Sequence, residues 1–109
     1  MQNVPVLVLT IAAAAAITAH RFVAPGGGVP AVGGNTLGAS NANAPSGSDM
    51  ALIVSGTAII ECAGNISLHG LVETDDEGKA IALDAGVPVG RALQVGADGR
   101  KIEILLIAN

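Results

Sequence analysis

The chain has 109 residues, a formal net charge of −4 and 50% hydrophobic residues, yet Phe22 is its one aromatic side chain. This length gives room for one small domain, and the five cations form no basic stripe, so we expect no nucleic-acid partner. Small apolar side chains bury little surface each, at about 25 cal/mol per Å². The composition therefore favours a protein that completes its core against copies of itself or a partner.

The N-terminal segment is apolar from residue 4 to residue 19. A secretory signal peptide needs cations before its apolar stretch, but residues 1–3 are Met-Gln-Asn and the first cation is Arg21. A membrane-spanning helix needs about 20 predominantly apolar residues, and Pro5, two threonines and a run of five alanines make this span only weakly hydrophobic. We therefore expect the segment to belong to the mature protein, without a membrane partner.

Residues 4–10 favour an extended strand, because the β-branched Val4, Val6 and Val8 alternate along them. Pro5 has no N–H, which places this strand at an edge of a sheet or away from it. The alanines of residues 12–16 favour a helix by propensity, but so short a run does not nucleate one. The prediction is a free or docking stretch at residues 1–10 within an N-terminal arm of residues 1–16, then a strand or a short turn of helix that leads into a strand near residues 17–23. Residues 17–109 are predicted to form one β-rich domain.

The rest of the chain reads as a loop region followed by short strands. Residues 24–48 are rich in Gly, Pro, Asn and Ser and predict loops with at most a short strand at residues 29–32. Ser55-Gly56 predicts a bulge or bend, and Asp98-Gly99 is a hairpin signal. The regular spacing of strands and turns indicates a small all-β sandwich or barrel. The predicted strands are residues 50–62, 66–72, 79–83, 87–95 and 101–108.

The last predicted strand has two different faces. Ile102, Ile104 and Leu106 share one face, and the other carries two charged residues followed by Leu105 and Ile107. Apolar side chains on both faces of a strand in so small a domain indicate a second sheet or a contact between subunits. We therefore assign Leu105 and Ile107 to a subunit contact.

Few residues suggest chemistry. Residues 75–77 (Asp-Asp-Glu) offer carboxylates to a hard cation, but they lack the spacing of a calcium loop, so we interpret them as a solvated turn. His20 and His69 have no partners at metal-ligand spacing, and we interpret both as surface or half-buried strand residues. The single Cys62 is interpreted as a small buried hydrophobe. Without a recognisable acid, base or nucleophile constellation, we predict no enzyme activity, no catalytic residues, no cofactor and no metal.

Several short motifs follow one another in a characteristic order. An Ala-rich segment runs into residues 19–23 (Ala-His-Arg-Phe-Val), and a Gly-rich loop precedes a central apolar stretch with Gly56 and Gly64. The remaining motifs are residues 76–80 (Asp-Glu-Gly-Lys-Ala), 89–93 (Val-Gly-Arg-Ala-Leu) and 97–100 (Ala-Asp-Gly-Arg). In this order and spacing, the chain resembles a family of short tailed-phage proteins, the capsid cement or head decoration proteins.

This resemblance implies a small β-sandwich or barrel-like (β-tulip-type) domain with an extended N-terminal arm. It implies a structural virion protein that binds the outer surface of the major capsid protein shell and stabilises it, as homotrimers at threefold and quasi-threefold positions, in particles assembled in the host cytoplasm. The arm would add as a strand to a capsid edge, and many repeated contacts would strengthen binding through multivalency. The residues assigned to the capsid-binding arm are Val4, Pro5, Val6, Leu7, Val8, Leu9 and Thr10.

Two functions from other classes are weighed against this one. The first is an exported carbohydrate- or surface-binding β domain, but sugar sites usually use aromatic platforms and Phe22 alone is available. The second is a small hydrolase, which would require a cluster of polar residues in a pocket.

Overall fold

The computed structural model describes the backbone of residues 4–109 and the side chains of residues 6–109. These residues form eight β-strands and contain no helix, which confirms the predicted all-β class. The strands are β1 (Val4–Ala12), β2 (Phe22–Val23), β3 (Gly38–Ser40), β4 (Asp49–Glu61), β5 (Leu71–Thr74), β6 (Ala80–Ala82), β7 (Gly90–Ala92) and β8 (Lys101–Leu106).

One sheet contains every strand, in the order β2-β3-β4-β8-β7-β5-β6, with β1 added to β4. All these strand pairs are antiparallel. The two ends of the sheet approach each other, since Phe22 N donates to Gly78 O at 2.7 Å and Cys62 forms a parallel bridge with Ala80. The sheet is therefore nearly closed and barrel-like.

Strand β4 separates two hydrophobic cores. Ile53 belongs to the core inside the barrel, whereas its neighbour Leu52 belongs to a second core beneath the N-terminal segment. Successive residues of a strand point to opposite faces, so one strand serves both cores. The barrel core contains Phe22, Ala39, Ile53, Ala58, Ile60, Cys62, Ile66, Val72, Ala80, Val89, Ala92, Ile102 and Ile104. The second core contains Ala13, Ile17, Val23, Ala44, Met50 and Leu52.

An irregularity in the middle of β4 keeps the barrel core continuous. The register between β1 and β4 shifts twice, between Pro5 and Val8, and Gly56 has a φ of +97°. A bulge exchanges the faces of the residues that follow it. Ile53 before the bulge and Ala58 after it therefore both face the barrel core. This confirms the bulge predicted at Ser55-Gly56.

Some predicted strands are shorter in the structure. Strand β5 begins at Leu71 rather than at residue 66, because Gly70 N donates to Ser67 O and closes a turn there. Strand β7 covers only Gly90–Ala92 of the predicted residues 87–95. Residues 29–32 form no strand, and a hydrogen bond from Gly34 N to Ala31 O makes this region a turn.

Candidate binding surface

The most unusual surface of the molecule lies on β1. Four consecutive apolar side chains are exposed: Val6 by 76%, Leu7 by 50%, Val8 by 47% and Leu9 by 38%. Because consecutive side chains point to opposite faces of a strand, both faces of β1 are open to solvent here. Within residues 4–109, β1 pairs only with β4. Soluble proteins protect such edges or use them for binding, so residues 6–9 are the strongest candidate for a binding surface.

The C-terminal part of β1 is fixed to the body of the protein. Ile11 packs against the second core, and Ala13 N donates to Ser48 O at 2.8 Å. On the other side, Ala14 N donates to Gly27 O at 3.0 Å. The exposed residues 6–9 are therefore held at a defined position on β4 and do not form a loose tail.

Strand β8 has the two faces that its sequence predicts. Ile102 and Ile104 are fully buried in the barrel core, while Leu105 on the opposite face is 41% exposed. Ile107 follows the strand, is half-buried, and donates from its N–H to Val89 O at 3.1 Å. The two residues assigned to a subunit contact thus lie at the outer face and the end of β8.

The structure brings the arm and the assigned subunit contact close together. Thr57 in β4 is the Cα partner of Val4 in β1 and also of Leu105 in β8. Thr57 and Leu105 are directly paired in antiparallel strands and carry their side chains on the same face. The sequence placed these residues about a hundred positions apart, and only the pairing of both strands with β4 makes them neighbours.

An ion cluster joins the two ends of the barrel. Arg21 Nη2 lies 3.3 Å from Glu61 Oε1, and Lys79 Nζ lies 3.7 Å from Glu61 Oε2. Arg21 Nη1 also donates to the carbonyl oxygen of Glu77 at 3.2 Å. Because these contacts connect the start of β2, the end of β4 and the turn before β6, their role is to close the barrel. Sequence reasoning missed the cluster because its members are distant in the chain.

Glu73 is an acidic residue buried in β5. Its Oε1 accepts N–H groups from Asp84 and from Gly86, the latter at 3.4 Å. Gly33 packs against Gly86 over the same carboxylate, so that a Cβ on Gly33 would lie 2.8 Å from Glu73 Oε2. The carboxylate therefore fastens two loops to the sheet, a role that the sequence alone did not reveal.

The acidic turn at residues 75–77 is closed by hydrogen bonds from backbone N–H groups to one of its own carboxylates. Asp75 Oδ1 accepts the N–H groups of Glu77 at 2.9 Å and of Lys79 at 2.8 Å, and Gly78 closes the turn with a φ of +80°. Carboxylate oxygens of the three acids lie within 4.8 Å of one another. The geometry is that of an Asx turn, with Asp75 Oδ1 already engaged by two N–H groups.

The two histidines have the exposure that the sequence predicts, with His20 half-buried and His69 exposed, but the prediction that they lie in strands was wrong. His20 and His69 lie in no strand; they have φ values of +62° and +64° and are the non-glycine residues with positive φ among residues 4–109. Histidine is among the residue types that adopt this conformation more often than most.

The interpretation of Cys62 as a small buried residue is confirmed. Cys62 is fully buried, and burial raises the pKa of its thiol from 9.0 to about 11, against an opposing effect of Arg100.

The described part of the chain encloses no pocket. It also contains no helix long and apolar enough to cross a membrane. What residues 4–109 offer for recognition is surface, with the exposed part of β1 as its most apolar continuous segment.

Comparison with known proteins gives one family and one fold. A family model described as phage cement protein matches residues 1–106, and no curated protein sequence matches. Among solved structures, the N base of the head fiber gp8.5 of bacteriophage phi29 has a TM-score of 0.72 with 12% sequence identity, over 93% of this chain and 93% of that chain. At this identity the likeness shows a shared fold.

The family match carries the identification because it extends over nearly the whole chain. It agrees with the all-β fold and with the resemblance drawn from the order of the sequence motifs. The chain therefore belongs to the phage cement protein family and has a structural role in the phage capsid.

Proposed function

We propose that this cement protein binds the outer surface of the major capsid protein shell through β1 and stabilises the shell there. The observation that carries the proposal is the run of exposed apolar side chains at residues 6–9. A partner that covers them removes apolar surface from water on both faces of the strand, worth about 25 cal/mol per Å². The residues assigned to this contact are Val4, Pro5, Val6, Leu7, Val8, Leu9 and Thr10.

A single strand makes a small interface. A stable protein–protein contact usually covers about 800 Å² on each partner, and residues 4–10 offer only part of that. Copies repeated over a symmetric shell compensate, because linked contacts raise the effective affinity without any new interaction. This is why we place the stabilising effect in many copies rather than in one tight complex.

The arrangement of copies is part of the same proposal. Residues 1–16 act as the arm and residues 17–109 as the capsid-binding domain, and the copies form homotrimers at threefold and quasi-threefold positions of shells assembled in the host cytoplasm. Leu105 and Ile107 lie at the contact between copies, supported by the exposure of Leu105 on the outer face of β8. No catalytic step belongs to this role. A cryo-EM map of the decorated particle with copies elsewhere, or with Leu105 facing solvent, contradicts the arrangement.

A matched pair of variants tests the role of β1. Leu7 and Leu68 are both 50% exposed, but Leu68 lies in the loop before β5 and outside the residues assigned to the shell contact. We expect Leu7→Ser to weaken co-sedimentation with expanded shells of the phage by about tenfold and Leu68→Ser to leave it unchanged. Equal behaviour of the two variants, or no binding by the unmodified protein, would contradict the proposal.

A further inference from the structure

The barrel closes along a seam between the two ends of the sheet. The seam is the junction between residues 21–22 and 61–63 on one side and residues 77–80 on the other. Phe22 N donates across it to Gly78 O at 2.7 Å. Ala63 N donates across it to Ala80 O at 2.9 Å. In the sheet that residues 4–109 form, β2 and β6 are the two end strands, so these hydrogen bonds join them without a regular ladder.

Charged side chains reinforce the seam, and we call Arg21, Glu61 and Lys79 the ionic latch. Glu61 Oε1 lies 3.3 Å from Arg21 Nη2, and Glu61 Oε2 lies 3.7 Å from Lys79 Nζ on the opposite side of the seam. Arg21 Nη1 crosses the seam as well, because it donates to the carbonyl oxygen of Glu77 at 3.2 Å. The three side chains of the latch are between 17% and 22% exposed. Dissolved salt therefore screens their attraction.

The closed seam also contains polar atoms that would gain from opening. Among the side chains that the structure describes, the buried nitrogen atoms without a hydrogen-bond partner are His20 Nδ1 and Arg21 Nε. A buried polar atom without a partner is less favourable than the same atom in water. Separation of the two sides of the seam admits water to the Arg21 guanidinium, which offsets part of the loss of its contacts.

Strand β6 and the turn before it form the side of the seam that is held more weakly. Strand β6 has three residues, and its neighbour in the sheet is β5. The turn before it keeps its shape through its own hydrogen bonds, since Asp75 Oδ1 accepts two backbone N–H groups of the same turn. The other side of the seam is bonded into the sheet through β3 and β8. Segments with few bonds to the remainder of a protein open at the lowest free energy.

We propose that the barrel opens at this seam while the rest of the sheet stays closed, and that the ionic latch sets how often it opens. Residues 75–82 separate as one unit and remain attached through β5. The opening exposes Cys62, which is fully buried and forms a parallel bridge with Ala80 across the seam. Because β1 takes no part in this movement, the proposal does not depend on the shell contact.

The other cover of Cys62 is a loop that is held more firmly. A Cβ on Gly96 would lie 2.9 Å from Cys62 Sγ, so removal of this loop would expose the same thiol. Gly96 and Ile66 exchange two main-chain hydrogen bonds, at 2.9 and 3.1 Å. Cys62 adds two more, because it donates to Arg100 O and accepts from Gly99 N, each at 2.8 Å. Four main-chain bonds hold the loop, whereas two main-chain bonds cross the seam, so the seam opens first.

Amide hydrogen exchange followed by NMR compares the two covers in the unmodified protein. We expect the amides of Phe22 and Ala63, at the seam, to be less protected than those of Cys62 and Ile66, which bond to the loop. A change from about 0.1 M to about 1 M NaCl shortens the Debye length from about 10 Å to about 3 Å. It should accelerate exchange at Phe22 and Ala63 by about two- to fivefold and leave the loop amides unchanged. Equal protection of all four amides, or weaker protection at the loop, overturns the proposal.

A matched pair of variants tests the latch, because Lys79→Met and Arg91→Met each remove one cation. Lys79 contacts Glu61 across the seam, whereas Arg91 lies on β7 and donates to His69 O. We expect Lys79→Met to accelerate exchange at Phe22 and Ala63 by about two- to fivefold and to reduce the effect of salt. Arg91→Met should leave both unchanged. Equal responses to the two variants overturn the role of the latch.

Maleimide labelling of Cys62, the single thiol of the chain, measures the same opening independently. At one fixed pH, the labelling rate should rise with Lys79→Met and with salt by the same factor as exchange at Ala63. Unchanged protection of the Ile66 amide verifies that the variants are folded. A labelling rate that follows Ile66 instead of Ala63 shows that the loop exposes the thiol, and this overturns the proposal. If a variant is unfolded, the salt dependence of the unmodified protein still decides.

Discussion

Strands β1 and β8 both pair with β4 and are similarly rich in Val, Ile and Leu, yet their side chains differ in burial. Ile102 and Ile104 of β8 are fully buried, whereas β1 leaves four consecutive apolar side chains between 38% and 76% exposed. The difference arises from position: β8 lies between β4 and β7, while β1 has β4 on one edge alone. Similar compositions therefore serve folding in β8 and, in the proposed function, recognition in β1.

The apolar residues of β1 and β8 differ in the free energy to which they contribute. Side chains that face the barrel core contribute to the free energy of unfolding, because their burial is complete in the single chain. In the proposed function, side chains of residues 6–9 contribute to association, because 38% to 76% of their surface is exposed in the single chain. Three measurements on the isolated protein test this division.

The largest effect is expected inside the barrel. Ile104→Ala removes a fully buried side chain and should lower the free energy of unfolding by about 2–5 kcal/mol. Leu105→Ala on the outer face of the same strand is the control, with an expected change below about 1 kcal/mol. Urea unfolding followed by far-UV circular dichroism measures both, since the chain has no Trp or Tyr. Equal losses would show that the two faces of β8 are not distinct.

An intermediate effect is expected from alkaline pH at Cys62, which follows β4 and belongs to the barrel core. The pKa of Cys62 is raised from 9.0 to about 11 by burial, so the unfolded thiol loses its proton at a lower pH than the folded one. The unfolded state then binds fewer protons between these values, and stability falls as pH rises from 9 toward 11, by about 2–3 kcal/mol in all. Urea unfolding of Cys62→Ala should lack this part of the pH dependence, and an unchanged profile would show that Cys62 is accessible to water.

The smallest effect is expected on β1. Val6→Ser replaces the most exposed of the large apolar side chains, and the free energy of unfolding should change by no more than about 0.5 kcal/mol. Urea unfolding of Val6→Ser and Ile104→Ala under the same conditions allows their free energies of unfolding to be compared. A loss as large as that of the core variant would mean that β1 is needed for folding, and the division between the strands would fail.

Local signals in the sequence were sufficient for much of the fold. The alternation of Ile102, Glu103 and Ile104 defines the two faces of β8, Gly78 marks the end of the acidic turn, and Ser55-Gly56 marks the bulge of β4. Each of these depends on side-chain period or on backbone conformation within a few residues. The apolar strand at residues 4–10 was also recognisable, because Val and Leu alternate there without a polar face.

Other features depend on pairings that no local pattern contains. No local pattern predicts the burial of Glu73, which follows from loops at Gly33 and Gly86 that meet over it. Leu52 and Ile53 are adjacent in one apolar run of the sequence. They belong to different cores because different segments pack on the two faces of β4. The sequence of a strand shows which residues face opposite sides of the sheet. It does not show that other segments of the chain will cover both sides.

Strand β4 also has a mechanical consequence. It spans 13 residues and pairs with β1, β3 and β8, so its covalent backbone links the arm to both cores. In the proposed function, a force on the arm along the strand direction would load the β1–β4 ladder in shear, and several hydrogen bonds would share it instead of opening one after another. The force would thus be passed to the longest strand of the domain.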